Sequence, residues 1–194
     1  MSETFRGLAV LEVEMKFRAE DWSAIEAQLI AWNAVAVPAR TETDHYFNAV
    51  DRDFARTDEA VRLRRIGPGN TLTYKGPKID SQTKARPEIE VKLADGEQAA
   101  TDAVRFLTSL GMKPVLEISK LRRVFRFTRD GFAVEACLDD AGPVGKYVEL
   151  EIMAEEADFE AAKAVVLQTA AELGLKEQER RSYLKLHLDR TSSS

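Results

Sequence analysis

Apolar and charged residues alternate with a period of two from Glu12 to Arg18. Val13, Met15 and Phe17 fall on one face of a strand, and Glu12, Glu14, Lys16 and Arg18 fall on the other. The alternation returns at Arg62-Leu63-Arg64, Glu88-Ile89-Glu90-Val91-Lys92-Leu93, Lys120-Leu121-Arg122 and Glu149-Leu150-Glu151-Ile152. With the intervening segments it predicts strands over 8–18, 42–50, 60–66, 71–75, 85–93, 114–128, 132–138 and 146–153. Gly67-Pro68-Gly69-Asn70 and Arg129-Asp130-Gly131 mark hairpin turns. Helical spacing of Trp22, Ile25, Leu29, Ile30 and Trp32 predicts a helix over 21–35. Further helices are predicted over 98–110 and 158–173, each stopped by a glycine (Gly111, Gly174), and over 181–188. Residues 51–57 read as a turn or helical turn, and 78–84 as a polar loop.

Eight strands arranged mostly in hairpins, with a few helices, predict an α+β fold built on a largely antiparallel sheet. Eight antiparallel strands suffice to close a barrel. Small barrels usually fill their interior with apolar side chains. Here the regular charged phase predicts the inverse: a hydrated tunnel with a polar interior, whose apolar faces pack outward against the helices. No repeat or linker interrupts the chain, so a single domain is expected over 1–190, followed by a disordered tail at 191–194.

Composition narrows the function. A 31% charged fraction with a net charge of only -5 argues against a general nucleic-acid binder, which is usually basic overall. The single cysteine, Cys137, excludes an intramolecular disulfide. No apolar leader or run of about 18 residues is present, so a cytoplasmic protein that does not span a membrane is expected. No Gly-x-x-x-x-Gly-Lys loop is present, which excludes a P-loop, and nothing supports Ser-His-Asp catalysis.

The alternating charges carry the candidate chemistry. Glu12 with Glu14, and Glu149 with Glu151, form two Glu-x-Glu pairs; residues i and i+2 of a strand lie roughly 7 Å apart on one face. Converging pairs offer hard oxygen ligands that suit magnesium or manganese better than zinc. Lys16, Arg62, Arg64, Lys75, Lys120 and Arg122 form a matching basic set suited to phosphate oxygens. Acids for a metal and bases for phosphate together fit a divalent ion bound to a polyphosphate. An exposed sheet face with cross-strand ion pairs shows the same alternation. Glu88 and Glu90 suit metal ligation or pairing with tunnel cations. His45, with no second histidine nearby, reads as structural.

Glu12-x-Glu14-x-Lys16 resembles the opening motif of the CYTH superfamily, the triphosphate tunnel metalloenzymes. Thr71-Leu72-Thr73-Tyr74-Lys75-Gly76-Pro77 resembles that family's strand ending in Lys-Gly-Pro, and Arg64, Lys120-x-Arg122, Asp139 and Glu149 fall where its charged positions are expected. The likeness covers nearly the whole chain. Met1 to Gly7, and Arg181-Ser182-Tyr183-Leu184-Lys185-Leu186, resemble the class IV adenylyl cyclases within it. This implies conversion of ATP to cyclic AMP and pyrophosphate, with Lys16, Arg64, Lys75, Lys120 and Arg122 clamping phosphates. It implies magnesium or manganese on Glu12, Glu14, Asp139, Glu149 and Glu151, Glu12 as a base, and a homodimer. Arg62 beside Arg64, Glu88 with Glu90, and Glu151 beside Glu149 make a fuller charge set that resembles the triphosphatase members, which hydrolyse thiamine triphosphate or inorganic triphosphate. A non-catalytic nucleotide or polyphosphate sensor is the third reading.

Overall fold

The computed structural model describes residues 10–192. The motif at Met1 to Gly7 and the start of the first predicted strand at Leu8 lie outside them, as do Ser193 and Ser194. Eight strands form one closed antiparallel barrel. They are β1 (Val10–Arg18), β2 (Val35–Asn48), β3 (Ala60–Ile66), β4 (Gly69–Lys75), β5 (Arg86–Lys92), β6 (Lys113–Arg129), β7 (Phe132–Asp140) and β8 (Lys146–Glu155). Their order around the wall is β1-β5-β4-β3-β2-β6-β7-β8, closed by the long pairing of β8 with β1. Helices α1 (Ser23–Ala31), α2 (Phe54–Thr57), α3 (Glu97–Ser109), α4 (Phe159–Glu172) and α5 (Tyr183–Ser192) surround it. Helix α5 includes Thr191 and Ser192.

One predicted helix is too long. The segment 21–35 stays helical only to Ala31; Asn33 adopts a left-handed φ of 58°, and Val35 already begins β2. The strand predicted from 42 begins earlier, at Val35, and carries Pro38 within it. Proline has no N–H for the ladder, and the β2–β6 register indeed shifts between Val37 and Arg40, leaving a bulge.

The polar-inside expectation holds. On β1, Val13, Met15 and Phe17 pack outward with Leu150 and Ile152 of β8 against Ile25 and Leu29 of α1 and Ala162, Val165 and Val166 of α4. A second apolar cluster sets Leu63 of β3 and Phe47 of β2 against Ala100 and Leu107 of α3. Helix α5 covers one end, where Tyr183 and Leu186 pack on Tyr147 and Ala141. The intervening residues on the strands point into the barrel and are equally enclosed: Lys16 is 0% exposed, Asp139 0% and Arg122 4%. Stability thus resides in a sleeve of apolar residues around an ionic lumen. Leu150, fully buried in that sleeve, should cost about 2–5 kcal/mol when truncated to Ala. Its chain points away from the lumen, so denaturant unfolding should shift while the folded variant's ligand affinity stays unchanged.

Candidate active site

Strand register decides which charges meet. Across β1, β8 and β7, Lys16 stands opposite Glu149, which stands opposite Cys137; in the next inward row Glu14 faces Glu151, which faces Glu135. Across β2 and β6, Glu42 faces Lys120, and across β2 and β3, Asp44 faces Arg64. Lys75 of β4 faces Glu88 of β5. The cavity measures about 1340 Å³, above the range of roughly 300–1,000 Å³ common for small-ligand sites.

Nearly every expected site residue lines this one cavity. Glu12, Glu14, Lys16, Arg62, Arg64 and Lys75 do so from β1, β3 and β4. Glu88, Glu90, Lys120, Arg122, Glu149 and Glu151 do so from β5, β6 and β8. Lys75 Nζ bridges Glu12 at 2.5 Å and Glu88 at 2.7 Å. Arg64 holds Asp44 through Nε at 2.7 Å and through a second nitrogen at 2.8 Å, the two-pronged geometry of a strong guanidinium–carboxylate pair. Glu90 accepts from Thr73 Oγ1 at 3.3 Å.

Asp139 sits behind the lining. Its oxygens accept from Lys120 Nζ at 2.9 Å, from Arg122 at 2.6–2.7 Å and from Tyr183 Oη at 2.8 Å. Arg122 reaches onward to Glu149 and to Glu151, the latter at 3.1 Å. Lys16 Nζ donates to the carbonyl of Arg181 at 2.6 Å and lies 4.0 Å from the Tyr183 ring centre. The segment leading into α5 is therefore tied directly to the tunnel cations.

Several residues of the site escaped the sequence reading. Glu42 and Asp44 continue the inward phase of β2, but only His45 attracted attention there. The structure places His45 on the opposite face, paired with Glu117. Lys84 and Arg86 extend the β5 phase backwards from Glu88; the reading of 78–84 as a polar loop hid Lys84, and Arg86, inside the predicted strand 85–93, was not singled out. In fact Lys84 donates its N–H to Glu14 O at 2.8 Å, which continues the wall alongside β1. Its ammonium is paired with Glu14. Tyr183 carried no period-two signal, because it arrives from α5.

These contacts set the protonation states. Burial would raise the Glu42 pKa, but Arg64, Arg122, Lys120 and Arg40 outweigh it and bring it from 4.5 to about 2. Asp44 is likewise held well below the carboxylate range, by Arg62 and Arg64 against burial. A carboxylate with a lowered folded-state pKa contributes stability that is complete above the unfolded value and lost as pH falls through the folded value. The ligand-free protein should therefore weaken steeply between about pH 4.5 and 2. Glu42→Gln, which cannot titrate, should flatten that acid limb in thermal unfolding; an unchanged pH slope would refute the assignment.

Other carboxylates move the opposite way. Burial pushes Glu151 up to about 8, and Glu12, Glu149 and Glu14 add to the rise against the pull of Arg122. Burial and the neighbouring Glu12 push Glu88 up to about 7. Negative charge is locally in excess where Glu14, Glu151 and Glu135 stand in one cross-strand row. Like charges directly opposite are unfavourable unless a proton or a cation intervenes. Ligand atoms of Glu135, Cys137 and Glu151 lie within 4.8 Å of one another. The carboxylates offer the hard oxygens that divalent magnesium or manganese takes, so the residues present fit such an ion.

The fold and site define a closed antiparallel barrel whose lumen interleaves buried acids with buried bases. The CYTH domain model matches residues 11–183, and the chain belongs to that family. A candidate adenylate cyclase of Methanocaldococcus jannaschii is 38% identical over 142 residues, 73% of this chain and 77% of that protein. Among solved structures, the PH1819 protein of Pyrococcus horikoshii is 34% identical, with a TM-score of 0.80 over 92% of this chain and 99% of that one. HpAC1 from Hippeastrum, a candidate adenylyl cyclase described as revealing a dominant triphosphatase activity, is 17% identical with a TM-score of 0.65, covering 94% of this chain and 96% of its own. At that identity the likeness concerns the fold. Among the described residues no helix is long and apolar enough to cross a membrane.

Proposed function

We propose that this protein is a divalent-metal-dependent enzyme of triphosphates that converts ATP to cyclic AMP and pyrophosphate. The observation that carries the reading is the row of carboxylates Glu14, Glu151 and Glu135 inside a lumen that also holds many bases: a pure anion binder needs the cations alone. The name of the Methanocaldococcus jannaschii relative supports the cyclase assignment.

Lys16, Arg62, Arg64, Lys75, Lys120 and Arg122 take the phosphate oxygens. Glu12, Glu14, Glu149 and Glu151 hold magnesium or manganese. Asp139, expected in the same role, has both oxygens engaged by Lys120, Arg122 and Tyr183, so it serves to aim those two cations. A divalent ion held there would supply Lewis acidity to the phosphoryl oxygens and the attacking hydroxyl. The ribose 3′-oxygen attacks the α-phosphorus, the bond to the β-phosphate oxygen breaks, and pyrophosphate leaves. The released proton passes to the Glu12–Glu88 pair, whose Glu88 member titrates near 7. The tunnel cations stabilise the charge that builds on the leaving pyrophosphate.

A second reading keeps the tunnel and changes the nucleophile: water attacks the terminal phosphorus of thiamine triphosphate, inorganic triphosphate or a nucleoside triphosphate. Arg62, Glu88, Glu90 and Glu151, the residues behind that likeness, all line the cavity. Product analysis with ATP, inorganic triphosphate and thiamine triphosphate, each with magnesium or manganese, decides. Cyclic AMP with pyrophosphate is expected; orthophosphate establishes the hydrolase instead. Tight binding without any product makes the domain a sensor.

A further inference from the structure

Most cations of the lumen are neutralised by carboxylates; among the described residues Arg180 has backbone carbonyls instead, and Arg86 has neither. Lys75 has Glu12 and Glu88, Arg64 has Asp44 and Glu42, and Arg122 has Asp139 and Glu149. Arg86 is only 6% exposed, yet its guanidinium makes no ion pair or side-chain hydrogen bond among the described residues, and its Nε is without an acceptor. Its cross-strand partner on β1 is Glu12, which places Arg86 on the inward face, and Arg86 lines the cavity. Glu12 itself is committed to Lys75.

The surroundings sharpen the anomaly. Lys78 and Lys84 both lie close enough for the charge on Arg86 to work against their own. Each of those lysines has its own acid: Lys78 is paired with Asp58, and Lys84 with Glu14. Three cations therefore converge where two have counter-ions. A buried charge without a partner is costly to the folded state. Such a group persists where a ligand of opposite charge completes it.

We propose that Arg86, flanked by Lys78 and Lys84 where the segment after β4 enters β5, is a substrate-binding residue that takes phosphoryl oxygens of the triphosphate, and does so without first releasing a carboxylate. This deepens the triphosphate reading and rests on it. Its side chain forms the first strong contact of an incoming polyanion. Lys75 and Arg122 engage as their own carboxylates turn to the metal or to protons.

The proposal predicts opposite effects on stability and on binding. Arg86→Met removes an uncompensated buried charge and keeps an apolar stem of similar reach, so the ligand-free melting temperature should stay equal or rise. Inorganic triphosphate, titrated calorimetrically with a chelator present to isolate the cation contacts, should bind about tenfold or more weakly. Arg86→Lys should retain binding intermediate between the two. An Arg86→Met variant that binds triphosphate within about threefold of the parent overturns the proposal, as does one that loses stability and keeps its affinity. A parent protein that does not bind inorganic triphosphate overturns the tunnel reading itself, and that failure is separate from unaltered binding in the variant.

Discussion

Replacing Arg122 with Ala is expected to destabilise the ligand-free protein by roughly 3–5 kcal/mol and to leave no measurable turnover. The guanidinium is 4% exposed and contacts Asp139, Glu149 and Glu151 at once, with Glu42 3.8 Å away. Removing it leaves carboxylates facing each other in an enclosed lumen. Lys120 compensates only partly, through its 2.9 Å contact with Asp139 and its 3.8 Å approach to Glu149. An exposed ion pair of the same chemistry would contribute about 1 kcal/mol or less, so the size of the effect separates an interior charge from a surface one. Arg122→Lys keeps a positive charge but cannot span three acids from one planar fork, so it should recover part of the stability and little of the turnover. Urea unfolding with parallel activity assays tests this. A folded Arg122→Ala protein of parental stability would mean that the guanidinium does not hold the acid cluster together.

The Lys75→Ala variant should behave differently: turnover falls about 10²–10³-fold while the fold survives. Lys75 bridges Glu12 and Glu88, and its loss lets those two acids repel. Glu88 already titrates near 7, so the pair relieves the repulsion by binding a proton at neutral pH. At Arg122 the same outlet covers only part of the cluster: Glu151, pushed up to about 8, can take a proton, but burial notwithstanding Glu149 is held far below the carboxylate range by Lys84 and Lys120 as well as Arg122. In the proposed reaction, what Lys75→Ala removes is a point charge that would stabilise the leaving pyrophosphate. Steady-state kinetics should show the loss mainly in kcat, with a near-parental melting temperature. Parental kcat in that variant would remove Lys75 from the machinery.

Much of this molecule was legible in one dimension. The alternation at Glu12 to Arg18 and at Glu149 to Ile152 identifies strands, separates their two faces and marks which side chains belong together, because a strand's geometry repeats every two residues. The ordered motifs from Glu12-x-Glu14-x-Lys16 to Glu149 pointed to the family. The misses have a common origin. Lys84 was overlooked where a loop continues the wall without a strand's full pattern, and Arg86 where the alternation of β5 is only beginning. Tyr183 reaches Asp139 across 44 residues of sequence from a helix, and no local period announces such a contact. The first half of β2 lies outside the strand predicted from 42, and its register shifts between Val37 and Arg40, where a bulge breaks the alternation that marks a strand.

By itself the sequence determined that eight charged-and-apolar strands would make an inverted barrel, since local backbone geometry fixes the facing of every side chain once the period is set. Only the tertiary structure decided who neutralises whom. Closure of β8 onto β1 put Glu14 opposite Glu151 and surrounded Glu149 with Lys84, Lys120 and Arg122. Partnership among buried charges depends on register across strands distant in the chain, and on how far each long side chain reaches into a shared lumen. It is there that Asp139 became a support for two cations and Arg86 was left without a counter-ion.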